Sequence, residues 1–181
     1  MDDGFWVFGY GSLMWAPEFP VAESVIAQAD GWRRSFCLRS VTYRGTEACP
    51  GLVLGLEPHP GQDCTGLALR VENALWPEVI AAIRARELVT QAYRETLLPL
   101  ALADGRRVRG LTYVMRPGHG QYAGGLSLDE QAAIIALACG GRGPNADYLY
   151  NTVAHLAELG IPDDDLADLA ARVRALRGAA A

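Results

Sequence analysis

The chain has 181 residues, 50% of them hydrophobic and 20% charged, with a formal net charge of −5 and an isoelectric point near 5.2. That size and balance suit one globular domain, residues 1–181, with enough apolar material for a core without metal or disulfide staples. No basic run is longer than Arg106-Arg107, so nucleic acid is not an expected partner, and a mildly acidic surface leaves any anionic substrate to be held by local donors.

The amino end, MDDGFWVFGYG, is acidic and short of apolar length, unlike a signal peptide or a membrane span. Within it, Phe5 to Tyr10 reads as a short apolar strand ending in glycines. Ser35 to Val41 and Leu52 to Leu56 are β-like, and Thr65 to Val71 is a further strand, preceded by the turn residues Pro58, Pro60 and Gly61. A helix is predicted from about Leu75 to Leu88, with Pro77 in its first turn and Trp76, Ile80 and Ile83 along one face. Gln91 to Ala103 and Val108 to Met115 flank Asp104-Gly105, a dipeptide that favours a tight hairpin.

The last third is helical. Ser127-Leu-Asp-Glu130 has the capping-box pattern and opens a helix that stops at Cys139-Gly-Gly. Leu149, Val153, Leu156 and Leu159 mark a second helix, ended by Gly160. Asp163 caps a third, with Leu166, Leu169, Val173 and Leu176 expected to face inward, and residues 178–181 are expected to fray. Strands first and helices afterwards predict an α+β fold: a small, curled, mostly antiparallel sheet or β-barrel with packed helices.

Two features point to chemistry. In Gly9-Tyr-Gly-Ser-Leu13, glycines directly after a strand let the backbone turn sharply and approach a ligand, and successive free N–H groups there form a concavity for a carboxylate or an oxyanion. A plain turn after an edge strand fits the same residues. A dinucleotide loop would need glycine where Met14 stands, and a nucleophile elbow would need glycine at Tyr10 and Met14, so Ser12 is not expected to form an acyl-enzyme. The second feature is Glu87, which lies four residues after Ile83, seven after Ile80 and eleven after Trp76, so that a carboxylate continues an apolar stripe. Burial there would raise its pKa toward the range useful for proton transfer. The competing reading is a helix end that reaches water, or a pair with Arg84, Arg86 or Arg94. Tyr93, six residues on, either offers its hydroxyl to the same site or is part of the core.

Other polar residues carry less. His59, His119 and His155 are scattered without metal spacing, Asp163-Asp-Asp165 suits a helix N-terminus better than a metal site, and Arg33-Arg34 reads as a solvated strand end. Cys37, Cys49, Cys64 and Cys139 have irregular gaps and no C-x-x-C pair, so no zinc or redox pair is indicated, and reduced thiols in a soluble cytoplasmic protein are expected.

The sequence resembles the ChaC-like γ-glutamylcyclotransferases. Trp6-Val-Phe-Gly-Tyr-Gly-Ser-Leu-Met-Trp15 is similar to that family's substrate-binding loop, and Arg44-Gly-Thr46 with Pro50-Gly-Leu-Val-Leu-Gly-Leu56 to its next block. Arg86-Glu87, with Tyr93 beyond, resembles the segment carrying the family's catalytic glutamate. Gln121-Tyr-Ala123, Leu126-Ser-Leu128 and Asn145-Ala-Asp-Tyr-Leu-Tyr-Asn-Thr152 are similar to its carboxy-terminal blocks. The resemblance implies a small β-barrel with packed helices, and cleavage of glutathione to 5-oxoproline and cysteinylglycine without a cofactor. It makes Glu87 the catalytic acid/base, and it places substrate binding at Val7, Phe8, Gly9, Tyr10, Gly11, Ser12 and Leu13, with Tyr93. The implied partner is a small molecule, glutathione, with no nucleic acid, membrane or obligate protein partner. Ser40-Val-Thr-Tyr43 and Gly118-His-Gly120 depart from the family's usual form and bear on recognition of the cysteinylglycine half. The alternatives are the same chemistry on γ-glutamyl amino acids or γ-glutamylamines, and a module that binds γ-glutamyl ligands without catalysis.

Overall fold

The computed structural model describes residues 4–179. The chain divides into two compact units: one comprises the chain up to Arg34 with Leu56–Arg116, the other Ser35–Gly55 with the chain from Pro117 onward.

The first unit is built on a five-stranded closed barrel in the order β1-β3-β2-β4-β5, from β1 (Phe5–Gly9), β2 (Glu23–Ser40), β3 (Gly51–Val71), β4 (Tyr93–Leu102) and β5 (Arg107–Met115). Residues 35–40 of β2 and 51–55 of β3 count to the second unit. β1 runs antiparallel to β3, from Phe5↔Val71 to Gly9↔Leu67, and its parallel pairing to β5 at Trp6↔Gly110 and Val7↔Leu111 completes the ring. Closure leaves no open sheet edge there. The core shows the two-residue period of strands, with Trp6 and Phe8, Ala27 and Ala29, and Leu98, Leu100 and Leu102 all buried in one cluster. Val7, on the opposite face of β1, is equally buried, so β1 reads as a continuous apolar run.

The β-rich part differs from expectation in strand length. Ser35–Val41 is the end of the 18-residue β2, and Leu52–Leu56 and Thr65–Val71 are one 21-residue β3 that runs through Pro58, Pro60 and Gly61. The predicted break is a bend. Gly61 and, on β2, Gly31 take φ of +86° and +79°, a region open to glycine at no steric cost. The Asp63 carboxylate accepts from Gln28 Nε2 at 3.1 Å and from the Gly31 N–H at 3.4 Å, which links the two strands beside the bend. The β4–β5 hairpin turns at Asp104-Gly105 as predicted, with Gly105 at φ +89° and Asp104 Oδ1 accepting from the Arg106 N–H at 3.1 Å.

Between β3 and β4 lies α1 (Trp76–Glu87), with Pro77 in its first turn. Val79 and Ile83 are its buried residues, Ile80 is half-buried, and Trp76 stacks on Phe5 of β1 with ring centroids 4.5 Å apart.

In the second unit, α2 (Leu128–Leu137) opens with the capping box, the Glu130 N–H donating to Ser127 Oγ and the Ser127 N–H to Glu130 Oε2. A two-stranded ribbon, β6 (Cys139–Gly140) with β7 (Gly143–Pro144), leads into α3 (Asn145–Glu158). Gly160, at φ +73°, ends α3: the Gly160 N–H donates to Ala157 O and the Ile161 N–H to Leu156 O, the two bonds of a Schellman cap. α4 (Asp164–Ala179) starts at Asp163, whose Oδ1 accepts from the Leu166 N–H at 3.1 Å. Leu166, Leu169 and Val173 face inward, whereas Leu176 is 46% exposed near the helix end. Gly178 and Ala179 belong to α4, and the last two residues of the expected frayed tail lie outside the described residues. Among the described residues no helix is long and apolar enough to cross a membrane.

Fully buried Asn145 locks α3 to the start of β3, accepting from the Leu52 N–H and donating to Leu52 O, both at 2.7 Å. Asn145→Ala strands both Leu52 groups without partners, at about 1–3 kcal/mol each. The expected result in urea denaturation is a loss of about 2 kcal/mol or more, with turnover of the remaining folded fraction measured alongside.

Candidate active site

β1 delivers the chain to a tight loop. After Gly9 the backbone passes through a 3-10 turn, Ser12–Met14, in which the Met14 N–H donates to Gly11 O at 2.9 Å and the Ala16 N–H to Ser12 O at 2.8 Å. Glycine is needed beside this turn because the chain folds back on itself. A Cβ at position 9 would stand 3.1 Å from Met14 Cγ and 3.3 Å from Met14 N, and one at Gly66 would stand 2.3 Å from Gly9 O. The first N–H groups of such a turn have no partner inside it. Those of Ser12 and Leu13 find no acceptor among the described residues.

The loop is held by groups distant in sequence. Arg34 Nη1 donates to Tyr10 O at 2.9 Å and Arg34 Nη2 donates to Thr65 O. The Tyr10 hydroxyl donates to Tyr113 O at 2.9 Å. Arg34 is only 6% exposed, which corrects the expectation of a solvated Arg33-Arg34 pair. Burial is tolerated because the guanidinium meets backbone carbonyls, and Arg33 pairs with the buried Glu57 at 2.6 Å.

Glu87 is the last residue of α1, four positions beyond buried Ile83, and its side chain is 19% exposed. Both readings of the residue meet here: it is largely buried, and its Oε1 lies 3.2 Å from Arg86 Nε. Arg86 also reaches the loop, with Nη2 donating to Ser12 Oγ at 2.7 Å and Nη1 donating to Ala16 O at 2.8 Å. The same Nη1 lies 3.4 Å from the exposed Glu18, a residue at φ +62° in the segment after the 3-10 turn. Burial pushes the Glu87 carboxyl above its ordinary range, nearby Glu18 adds to the rise, and Arg86 opposes it without cancelling it.

A second polar group stands within electrostatic range of Glu87. The Tyr113 hydroxyl donates to Glu95 Oε2 at 3.0 Å, and Arg84 holds Glu95 with two bonds of 2.7 Å. Burial, and after it the negative charges of Glu95 and Glu87, push the Tyr113 phenol upward, so it stays a neutral donor. The Arg84 bond in turn holds Glu95 below the usual carboxylate range.

The structure therefore brings Ser12 and Glu87 together through Arg86, and anchors the Tyr10 hydroxyl on the carbonyl of Tyr113, whose phenol feels the charge of Glu87. Gly9, Gly11 and Leu13 form the turn itself. Val7 and Phe8 are fully buried in the barrel wall, their backbones paired with Leu69 and Ala68, so they shape the base of the loop. Tyr93 opens β4 opposite Met115, and its carbonyl accepts from Arg116 Nε at 3.2 Å. Sequence reasoning did not assign Arg34, Tyr113 or Glu95 to this neighbourhood and met Arg86 only as a partner for Glu87. No motif marks them, because these partners lie 11 to 103 residues away.

The family model described as ChaC-like protein matches residues 5–176. A glutathione-specific γ-glutamylcyclotransferase of Escherichia coli is 39% identical over 176 residues, covering 97% of this chain and 75% of that protein. γ-Glutamylcyclotransferase 2-3 of Arabidopsis thaliana is 33% identical, covering 93% and 88% of the two chains. Among solved structures, the γ-glutamyl cyclotransferase specific to glutathione from yeast superposes with a TM-score of 0.85 over 96% of this chain and 97% of its own, and at 23% identity that likeness speaks for the fold. With a barrel-and-helix fold shared across nearly its whole length and a family match from β1 into α4, this chain belongs to the ChaC-like γ-glutamylcyclotransferase family.

Proposed function

We propose that this protein cleaves glutathione to 5-oxoproline and cysteinylglycine, with Glu87 as the proton carrier and the turn of residues 9–13 as the holder of the glutamyl group. The observation that carries the reading is a carboxylate, 19% exposed and raised in pKa by burial, joined through one guanidinium to a glycine turn whose Ser12 and Leu13 N–H groups have no acceptor among the described residues. Glutathione is the substrate named for the Escherichia coli relative at 39% identity, and this supports the choice. The single family match over residues 5–176 supports treating both units as one γ-glutamylcyclotransferase domain. The compartment that the reading assigns is the cytoplasm.

A γ-glutamyl amide carries its own nucleophile. Its α-amine attacks the γ-carbonyl and closes a five-membered ring, so the protein's first task is to hold the folded-over conformer. Such orientation is worth roughly 7–11 kcal/mol. Near neutrality the amine is protonated, and Glu87 as carboxylate removes that proton. The tetrahedral centre then collapses as Glu87 returns a proton to the departing amide nitrogen, which becomes the amino group of cysteinylglycine. The raised pKa serves both steps, since a carboxylate of ordinary acidity is a poor donor to nitrogen. Backbone N–H groups at Ser12 and Leu13 are donors for the substrate carboxylate or the oxyanion.

Three outcomes are expected. Glu87→Gln loses about a hundredfold or more in 5-oxoproline release from glutathione. Because burial outweighs Arg86, folding favours the neutral form of this side chain, so the variant's melting temperature at neutral pH is no lower than the parent's. Parent-like turnover in Glu87→Gln would refute the assignment. In the parent, kcat falls on acidification as Glu87 takes up its proton, and the midpoint of that limb lies above the ordinary glutamate value of about 4.3. A limb at or below that value counts against Glu87 as the base. Ser12→Ala retains turnover well above that of Glu87→Gln, and a glutamyl adduct trapped on Ser12 would reverse this part of the mechanism. A panel of γ-glutamyl amino acids and amines assayed beside glutathione checks the substrate.

A further inference from the structure

We infer that Arg86 is a positioning residue for this reaction, whose guanidinium holds the substrate loop and the Glu87 carboxylate in one arrangement. The inference rests on the reading of Glu87 and the loop given above and adds a residue that this reading leaves without a task. Two arms of the group donate hydrogen bonds, Nη2 to Ser12 Oγ at 2.7 Å and Nη1 to Ala16 O at 2.8 Å, and the third, Nε, forms an ion pair with Glu87 Oε1 at 3.2 Å. Ser12 and Ala16 lie 74 and 70 residues away in sequence, the first opening the 3-10 turn and the second just beyond its C-cap. One side chain thus ties the start of the turn and the segment just after it to the helix end that carries the carboxylate. Adjacent residues on a helix do not normally face each other. Arg86 and Glu87 meet because they occupy the last two positions of α1, where the guanidinium is drawn toward the loop.

Only an arginine fits these demands. Its planar fork presents separate donors in fixed directions, whereas a lysine ammonium is one point charge and does not serve both loop acceptors and the carboxylate at once. Glu87 is in contact with Arg86 on its own helix and feels the charge of Glu18 from the loop segment; its own charge acts on the neutral Tyr113 phenol of β5, which is bonded to Glu95 of β4 and through it to Arg84 of α1. Arg86 is the cation in direct contact, and it restrains the rise that burial and Glu18 impose on the carboxyl. Holding the loop and restraining the base are therefore separable, one needing the fork and the other only the charge.

The test compares Arg86→Gln with Arg86→Lys on glutathione, reading kcat, KM and the pH profile of kcat, with thermal melts to verify folding. In Arg86→Gln, KM is expected to rise about tenfold or more, the scale of one lost charge-assisted hydrogen bond. The acid limb of kcat should move to higher pH. Arg86→Lys should show the raised KM with the acid limb near the parent's position. If both variants keep the parent's KM and limb, or if both merely lower kcat without moving either, the inference is overturned. If Arg86→Gln does not fold, the Lys variant alone decides through its KM. Glu87→Gln, run in parallel, separates the two readings: if that variant remains active the base assignment fails, whereas an inactive Glu87→Gln beside parent-like Arg86 variants overturns the role of Arg86 alone.

Discussion

A carboxyl group kept from water at the end of an amphipathic helix is the constraint around which this molecule is arranged. Glu87 continues the buried stripe of α1, a position that an apolar residue would fill at less cost. The neighbourhood lowers that cost without abolishing it: one guanidinium touches the carboxyl, and the net effect still favours the protonated form. A purely structural ion pair would have a lowered pKa, as Glu95 has where Arg84 holds it with two bonds. These two glutamates illustrate how burial and pairing compete: pairing prevails in Glu95 and burial in Glu87.

The barrel supplies rigidity for the other half of the site. β1 is buried on both faces and hydrogen-bonded on both edges, to β3 and to β5, so the point where the chain leaves it at Gly9 is well defined. From there the turn is held at Tyr10 O by Arg34, at the Tyr10 hydroxyl by Tyr113 O, and at Ser12 and Ala16 by Arg86. The glycines permit this crowding. A side chain at position 66 would collide with the carbonyl of Gly9, so β3 could not run alongside the loop. Under the proposed chemistry this stiffness is useful, because ring closure within one substrate depends on conformer selection more than on bringing two molecules together.

Within the second unit the helices α2, α3 and α4 are ordinary in their local chemistry, with a capping box, a Schellman cap and an aspartate cap where the residues call for them. Their less ordinary feature is Asn145. It satisfies both backbone groups of Leu52, and Arg44 nearby bonds to Arg142 O and Pro144 O while lying over the Tyr148 ring. These contacts join two of the blocks that carry the family resemblance, around Arg44 and around Asn145, and give them a shared structural task.

The sequence alone determined features whose cause is local. The Asp104-Gly105 hairpin, the Ser127 capping box, the glycine stop at Gly160 and the span of α1 depend on a few adjacent residues and their backbone preferences, and each is found where it was expected. The family was legible for a related reason, since its blocks are short and ordered along the chain. The tertiary structure alone decided what depends on distant partners. Prolines and a glycine between residues 58 and 61 read as a break, yet β3 continues through them as one strand of the barrel. Arg34 read as solvated because its acceptors are carbonyls 24 and 31 residues away, and Arg86 read as a mere neighbour of Glu87 because its other acceptors lie 70 or more residues back. An arginine's environment is set by which carbonyls the fold brings within reach of its fork, and no window of adjacent residues contains that information.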